Sequence, residues 1–159
     1  MTDAAVSSRI LLLGYGNPAR GDDGLGPACA AAAASWNLPR LTVDQDYQLK
    51  LEDAAAVAAH AVVIFVDAAA EGPAPFAFLA VEPAPLSGFT THALSPAQLL
   101  EIAHRSFGAA PEARLLAIRG YRFDHFCEEL SPPAAANLRA AADFLKGYIA
   151  ALDLADLSS

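Results

Sequence analysis

Residues 14–26 read Gly-Tyr-Gly-Asn-Pro-Ala-Arg-Gly-Asp-Asp-Gly-Leu-Gly and follow directly on the apolar run Ile10-Leu11-Leu12-Leu13. A buried strand thus runs into a glycine-rich loop that carries Arg20 and the adjacent carboxylates Asp22 and Asp23, and the loop feeds an apolar helix. Loops at the carboxyl ends of strands are where open α/β sheets hold their ligands. Carboxylates in that place favour a cation or a proton transfer. The glycines alone would favour a phosphate, because they let the backbone turn tightly and approach another group closely.

A nucleotide is therefore the first rival. Gly14-x-Gly16-x-x-Ala19 fits the dinucleotide fingerprint, and Asp44 stands where a ribose-binding acid would end the second strand. Against it, Asn17-Pro18 interrupts the motif, and Arg20-Gly21-Asp22-Asp23-Gly24 delays the helix until about Pro27. Two carboxylates beside a pyrophosphate are also electrostatically unfavourable. Asp22 and Asp23 have a plainer reading as turn residues, since Asp before Gly is a common turn signal. Asp67 is harder to dismiss. It closes the run Val62-Val63-Ile64-Phe65-Val66, and a carboxylate at the end of a buried strand needs a partner. His92, in Thr90-Thr91-His92-Ala93-Leu94-Ser95-Pro96, is a loop histidine of the kind that is ordinarily solvated. If the first and third strands are neighbours, however, Asp23 and Asp67 share one sheet edge. A histidine arriving after the fourth strand then completes a set of two carboxylates and one imidazole. Such a set suits borderline divalent metals such as zinc or nickel and leaves coordination positions open.

The remaining polar residues carry less. His60, His104 and His125 read as helix-end or surface histidines, and Glu52 and Asp53 as first-turn acids of a helix. Cys29 reads as a small core residue, and Cys127 lacks an evident partner base. No G-x-S-x-G elbow is present. Arg20 either orients the Asp22 or Asp23 carboxylate or is exposed.

The chain of 159 residues is 55% apolar and 18% charged, which describes one globular domain over residues 1–159, with 153–159 frayed. A net charge of −8 argues against nucleic acid or an anionic membrane surface as partner. No run reaches the roughly 18–20 apolar residues of a membrane span. The two cysteines form no CxxC pattern, and residues 1–8 lack the features of a signal peptide, so a cytoplasmic protein is expected.

Strand-like runs fall at Arg9–Leu13, Leu41–Val43, Val62–Asp67, Phe76–Glu82 and Arg114–Arg119. Helices are expected from Pro27 to Trp36, over Glu52–His60, from Ser95-Pro96 to Gly108, and from Ser131-Pro132 onward. Alternation of strands and helices means an α/β structure with a largely parallel sheet. Only Ala68–Pro75 separates the third and fourth strands, too little for a parallel crossover, so the fourth should run antiparallel to the third.

These residues resemble the hydrogenase maturation endopeptidases, which trim the C-terminus of the large subunit of nickel-iron hydrogenases. The resemblance rests on the 14–26 motif, on Gln48-Leu-Lys-Leu-Glu-Asp-Ala54, on Val66-Asp67-Ala68 within Val62–Ala69, on Thr91-His-Ala-Leu-Ser-Pro96 and on Glu129-Leu-Ser131, in the family's order. It implies a three-layer α/β/α fold whose five-stranded sheet is mixed and mostly parallel. It also implies that Asp23, Asp67 and His92 bind the nickel of the immature substrate, with Asn17, Arg20 and Asp22 as supporting residues. The first of these ligand positions is a glutamate in several members, so Asp23 is shorter by a methylene. Tyr-Arg-Phe-Asp-His-Phe-Cys, between Gly120 and Glu128, departs from the family's simpler approach to Leu130-Ser131. The function implied is a metal-gated, aspartic-type endopeptidase that removes the C-terminal extension of a nickel-iron hydrogenase large-subunit precursor after nickel insertion. Nickel would be carried by the substrate, no organic cofactor is expected, and a monomer is the default. The alternatives are a nucleotide-binding protein with a Gly-rich loop and a non-catalytic scaffold that binds the precursor.

Overall fold

The computed structural model describes residues 9–86, 94–124 and 126–158, with 154–158 as backbone. Its strands are β1 (Ile10–Tyr15), β2 (Leu41–Asp46), β3 (Val62–Ala69), β4 (Phe76–Ala80) and β5 (Glu112–Arg119). They form one five-stranded sheet in the order β2-β1-β3-β5-β4. β2, β1, β3 and β5 are parallel, and β4 is antiparallel. The fourth strand is thus reversed as expected, but its partner is β5, not β3. The short link of residues 70–75 carries the chain past the place that β5 later fills.

The apolar runs of β1 and β3 follow from burial on both faces. Ile10, Leu12, Ile64 and Val66 point to one side, where α1 (Leu25–Ala34) and α4 (Pro132–Ser158) cover them with Cys29, Ala30, Ala141, Leu145 and Ile149. Leu11, Leu13, Val63 and Phe65 point to the other, under α2 (Asp53–Ala58) and α3 (Pro96–Phe107). The result is three layers, α/β/α. Ser95 caps α3 by accepting from Gln98 N while the Gln98 side chain accepts from Ser95 N, and Gly108 closes it at φ 68°.

Several boundaries differ from the sequence reading for identifiable reasons. β2 continues past Val43 to Asp46, because this edge strand needs apolar residues on one side only and Asp44 and Gln45 are exposed. β1 extends through Tyr15, and β3 through Ala69, because each finds a paired neighbour. β4 stops at Ala80, two residues before Glu82, where its pairing with β5 ends. The first helix starts at Leu25 and is preceded by a 3-10 turn over Gly21–Gly24, so Pro27 lies inside its first turn. It ends at Ala34, short of Trp36. α4 runs on to Ser158, through the residues whose composition suggests a frayed tail. No helix among the described residues is long and apolar enough to cross a membrane.

One contact fixes how closely α1 sits on the sheet. A Cβ added to Gly26 would stand 2.6 Å from the Val66 carbonyl oxygen, and it would also strike the Tyr15 carbonyl. Both are backbone and cannot yield. Gly26→Ala should therefore cost about 2 kcal/mol or more in urea unfolding. Gly147→Ala, on α4 with open space around it, should instead stabilise by about 0.5–1 kcal/mol.

Candidate functional site

The glycine-rich loop is built around Asp22. This carboxylate is fully buried, and it accepts four hydrogen bonds. Oδ2 takes Tyr121 N at 2.7 Å, Arg122 N at 2.9 Å and Ser131 Oγ at 2.7 Å, and Oδ1 takes Ser131 N at 2.7 Å. Burial alone would raise its pKa, but the bonds from Ser131, Tyr121 and Arg122 reverse this and hold it below the usual carboxylate range. Asp22 is neither a simple turn residue nor a partner of Arg20, which is exposed. Gly120 faces it so closely that a Cβ there would lie 2.8 Å from the Asp22 Cβ.

The same arrangement bears on the nucleotide alternative. The 3-10 turn starts at Gly21, earlier than the delayed helix expected, so the geometry alone would allow a phosphate at its N-terminus. Its donors are already engaged: Gly21 N donates to Cys127 O at 2.6 Å, Asp22 N to Arg122 O at 2.7 Å and Asp23 N to Arg20 O at 3.2 Å. Asp44, the expected ribose acid, instead accepts from Gln45 N.

Asp23 faces the other way. Its Oδ2 accepts from Asn17 N at 2.7 Å, while Asn17 Oδ1 takes Ala19 N at 2.9 Å and so shapes the turn that presents that donor. β1 and β3 are neighbours in parallel register, with Gly14 opposite Val66, so Tyr15 and Asp67 follow at the same level. Both belong to the α2/α3 face by alternation, since Leu11 and Leu13 precede the one and Val63 and Phe65 the other. Asp67 Oδ1 accepts from Ala68 N at 2.8 Å, and its side chain is hydrogen-bonded to the Tyr15 hydroxyl. Burial pushes the Asp67 carboxyl up to about 6, and the Asp23 charge adds to that rise against the two hydrogen bonds. Burial and the Asp67 charge likewise raise Tyr15, which stays a neutral donor at physiological pH.

The structure thus brings Asp23 and Asp67 into electrostatic contact at one sheet edge. His92 lies outside the described residues, four positions before α3, which packs on the Asp67 face. Among the described residues no group of three His, Cys, Asp or Glu side chains is arranged to hold a metal ion. α2 ends at Ala58, so His60, expected as the end of a Glu52–His60 helix, lies two residues past it and is buried, with Nδ1 2.6 Å from Ala56 O. His104 is exposed in the last turn of α3, and His125 lies outside the described residues. Burial raises the Cys29 thiol to about 12, which fits an inert core residue. Cys127 is half-buried and accepts from Arg122 Nη2 at 3.1 Å. Sequence reasoning missed Tyr15 as the Asp67 partner. The signal was available in the parity of the strand, because Tyr15 follows Leu13 by two and so shares its face.

This arrangement of sheet, layers and loop is the fold of the hydrogenase maturation proteases. The maturation protease HycI from Thermococcus kodakarensis KOD1 superposes with a TM-score of 0.69 at 22% identity, over 89% of this chain and 92% of that one. The hydrogenase 2 maturation peptidase from a Thaumarchaeota archaeon gives 0.67 at 23% identity, over 89% and 98%. The maturating endopeptidase HybD from E. coli gives 0.67 at 22%, over 86% and 89%. At these identities the likeness is one of fold. No protein-family model matches the chain, and no curated protein matches it.

The buried Asp22 and the half-buried Asp67 should leave opposite marks on stability. Asp22 has a lowered folded pKa, so its contribution is present above the unfolded value of about 3.9 and is lost as pH falls through the folded value. Asp22→Asn, which turns an amide toward backbone donors, should cost about 3 kcal/mol at pH 7 in urea unfolding. Asp67 has a raised folded pKa, so the native state binds the extra proton and stability declines as pH rises from about 4 to 6. Asp67→Asn should therefore be more stable than the unsubstituted protein at pH 8, by up to about 2–3 kcal/mol, and equal to it at pH 4.

Proposed function

We propose that the protein is an endopeptidase of hydrogenase maturation that removes the C-terminal extension of a nickel-iron hydrogenase large-subunit precursor after nickel insertion. The observation that carries this reading is the Asp23–Asp67 pair on a fold shared with hydrogenase maturation proteases. Burial makes the ionised Asp67 carboxylate costly, and the Asp23 charge adds to that cost. A divalent cation relieves that repulsion. In the proposed complex the nickel already seated in the precursor is the cation, met by Asp23, Asp67 and His92, so an unloaded precursor lacks the group that docks it. Nickel is part of the substrate in this reading, not a resident cofactor.

The chain's own residues then have defined tasks. Asn17 N holds the Asp23 carboxylate, and the Tyr15 hydroxyl and Ala68 N hold that of Asp67, so neither needs to reorganise when the metal arrives. Fixing the metal fixes the scissile peptide beside the carboxylates. In this reading an Asp67 oxygen not bound to the metal takes the proton from an attacking water.

Intact-mass analysis of a nickel-loaded precursor checks these assignments. The unsubstituted protein should release a C-terminal fragment. His92→Ala and Asp67→Asn should each lower the rate by at least about 100-fold while circular dichroism stays native. Full cleavage by a folded His92→Ala protein contradicts the ligand assignment.

A further inference from the structure

The cleavage chemistry leaves one large surface unused. Three hollows of about 270, 250 and 510 Å³ adjoin one another along the carboxyl edge of the sheet. The first two share Pro18, Pro27 and Gln45, and the second meets the third at Glu128. Together they make a groove that begins at Gly16, next to the Asn17 that holds Asp23, and ends at the Phe126–Glu129 loop. Its walls near Gly21 and Gly24 are glycine backbone, which leaves room for a chain with side chains of its own.

Both ends carry aromatic rings in water: Tyr47 is 70% exposed and Phe126 is 97% exposed. Such rings supply large contact area at small entropic cost, and aromatic anchors dominate many interfaces. Among the described residues, the charged ones that line the three hollows are Asp46, Glu128 and Glu129. Lys50 meets Asp46 at 2.8 Å, whereas Glu128 and Glu129 form no ion pair among the described residues. Arg20, exposed, and Arg122, which donates to Cys127 Sγ, stand beside the Phe126–Glu129 loop. Phe126 also falls in the stretch where the sequence departs from the family it resembles, which is where a contact particular to one partner belongs.

We propose that this groove binds an extended, basic segment of the precursor, gripped by Phe126 and Tyr47 and neutralised by Glu128 and Glu129, and that it selects which precursor reaches the Asp23–Asp67 pair. The inference rests on the endopeptidase reading for the identity of the partner. Two variants test it, Phe126→Ser and the double substitution Glu128→Lys/Glu129→Lys, on exposed positions.

Kinetics with the nickel-loaded precursor should show KM raised about tenfold and kcat within twofold for both variants. Binding of the intact precursor, measured in an Asp67→Asn background that does not cut, should weaken by the same factor. Raising salt from about 50 to 500 mM should weaken binding by the Asp67→Asn protein and barely affect the double variant. The binding arm reads the groove even if the unsubstituted protein cuts nothing, so failure of the endopeptidase reading is separable. Unchanged KM and unchanged binding in both variants overturn the proposal, as does a complete lack of precursor binding.

Discussion

Burying an ionised carboxylate costs several kcal/mol unless donors replace the water it loses. Asp22 meets that condition with four donors from two stretches about a hundred residues further along the chain. The bonds to Tyr121 and Arg122 hold the end of the fifth strand, and those to Ser131 hold the first residue before α4. Ser131 Oγ also accepts from Ala134 N at 3.4 Å, so the same hydroxyl both donates to Asp22 and caps the helix. Because Gly21 N and Asp22 N donate back to Cys127 O and Arg122 O, the two segments are stitched from both sides. The position of the glycine-rich turn, and with it of Asp23, is set by this one buried charge.

The adjacent aspartates have divided roles. Asp22 is saturated with donors, and its ionised form is strongly favoured. Asp23 turns toward Asn17 and confronts Asp67 across the β1–β3 boundary, where donors are fewer and repulsion remains. Saturated carboxylates build structure; under-satisfied ones in pairs attract cations and protons. A scaffold that fixes one aspartate rigidly can hold its neighbour in an unfavourable electrostatic state.

Much of the sheet was legible because β1, β3 and β5 are apolar on both faces and the link from β3 to β4 is too short for a crossover. β2 was read short because an edge strand shows apolar residues on one side only, and Asp44 and Gln45 hid its continuation. Asp67 was legible as the carboxylate closing the buried apolar run of β3, although the strand itself continues to Ala69. The role of Asp22 was not, since its partners Tyr121, Arg122 and Ser131 come from non-local backbone donors that leave no periodic signal. The start of the first helix was misplaced for a related reason: Pro27 marks a first turn, but the turn over Gly21–Gly24 is held by carbonyls at Arg20, Arg122 and Cys127. His92, reached from its sequence neighbours and the family resemblance, lies outside the described residues.

In the proposed mechanism a carboxylate pair on this fold reads a metal carried by the substrate. The decisive measurement is intact-mass analysis of one precursor, prepared with and without nickel and incubated with this protein. Loss of the C-terminal segment from the nickel-loaded sample alone is the predicted result. Equal cleavage of both samples would contradict metal reading, and cleavage of neither, while a known maturation protease cuts the loaded sample, would contradict the endopeptidase function itself.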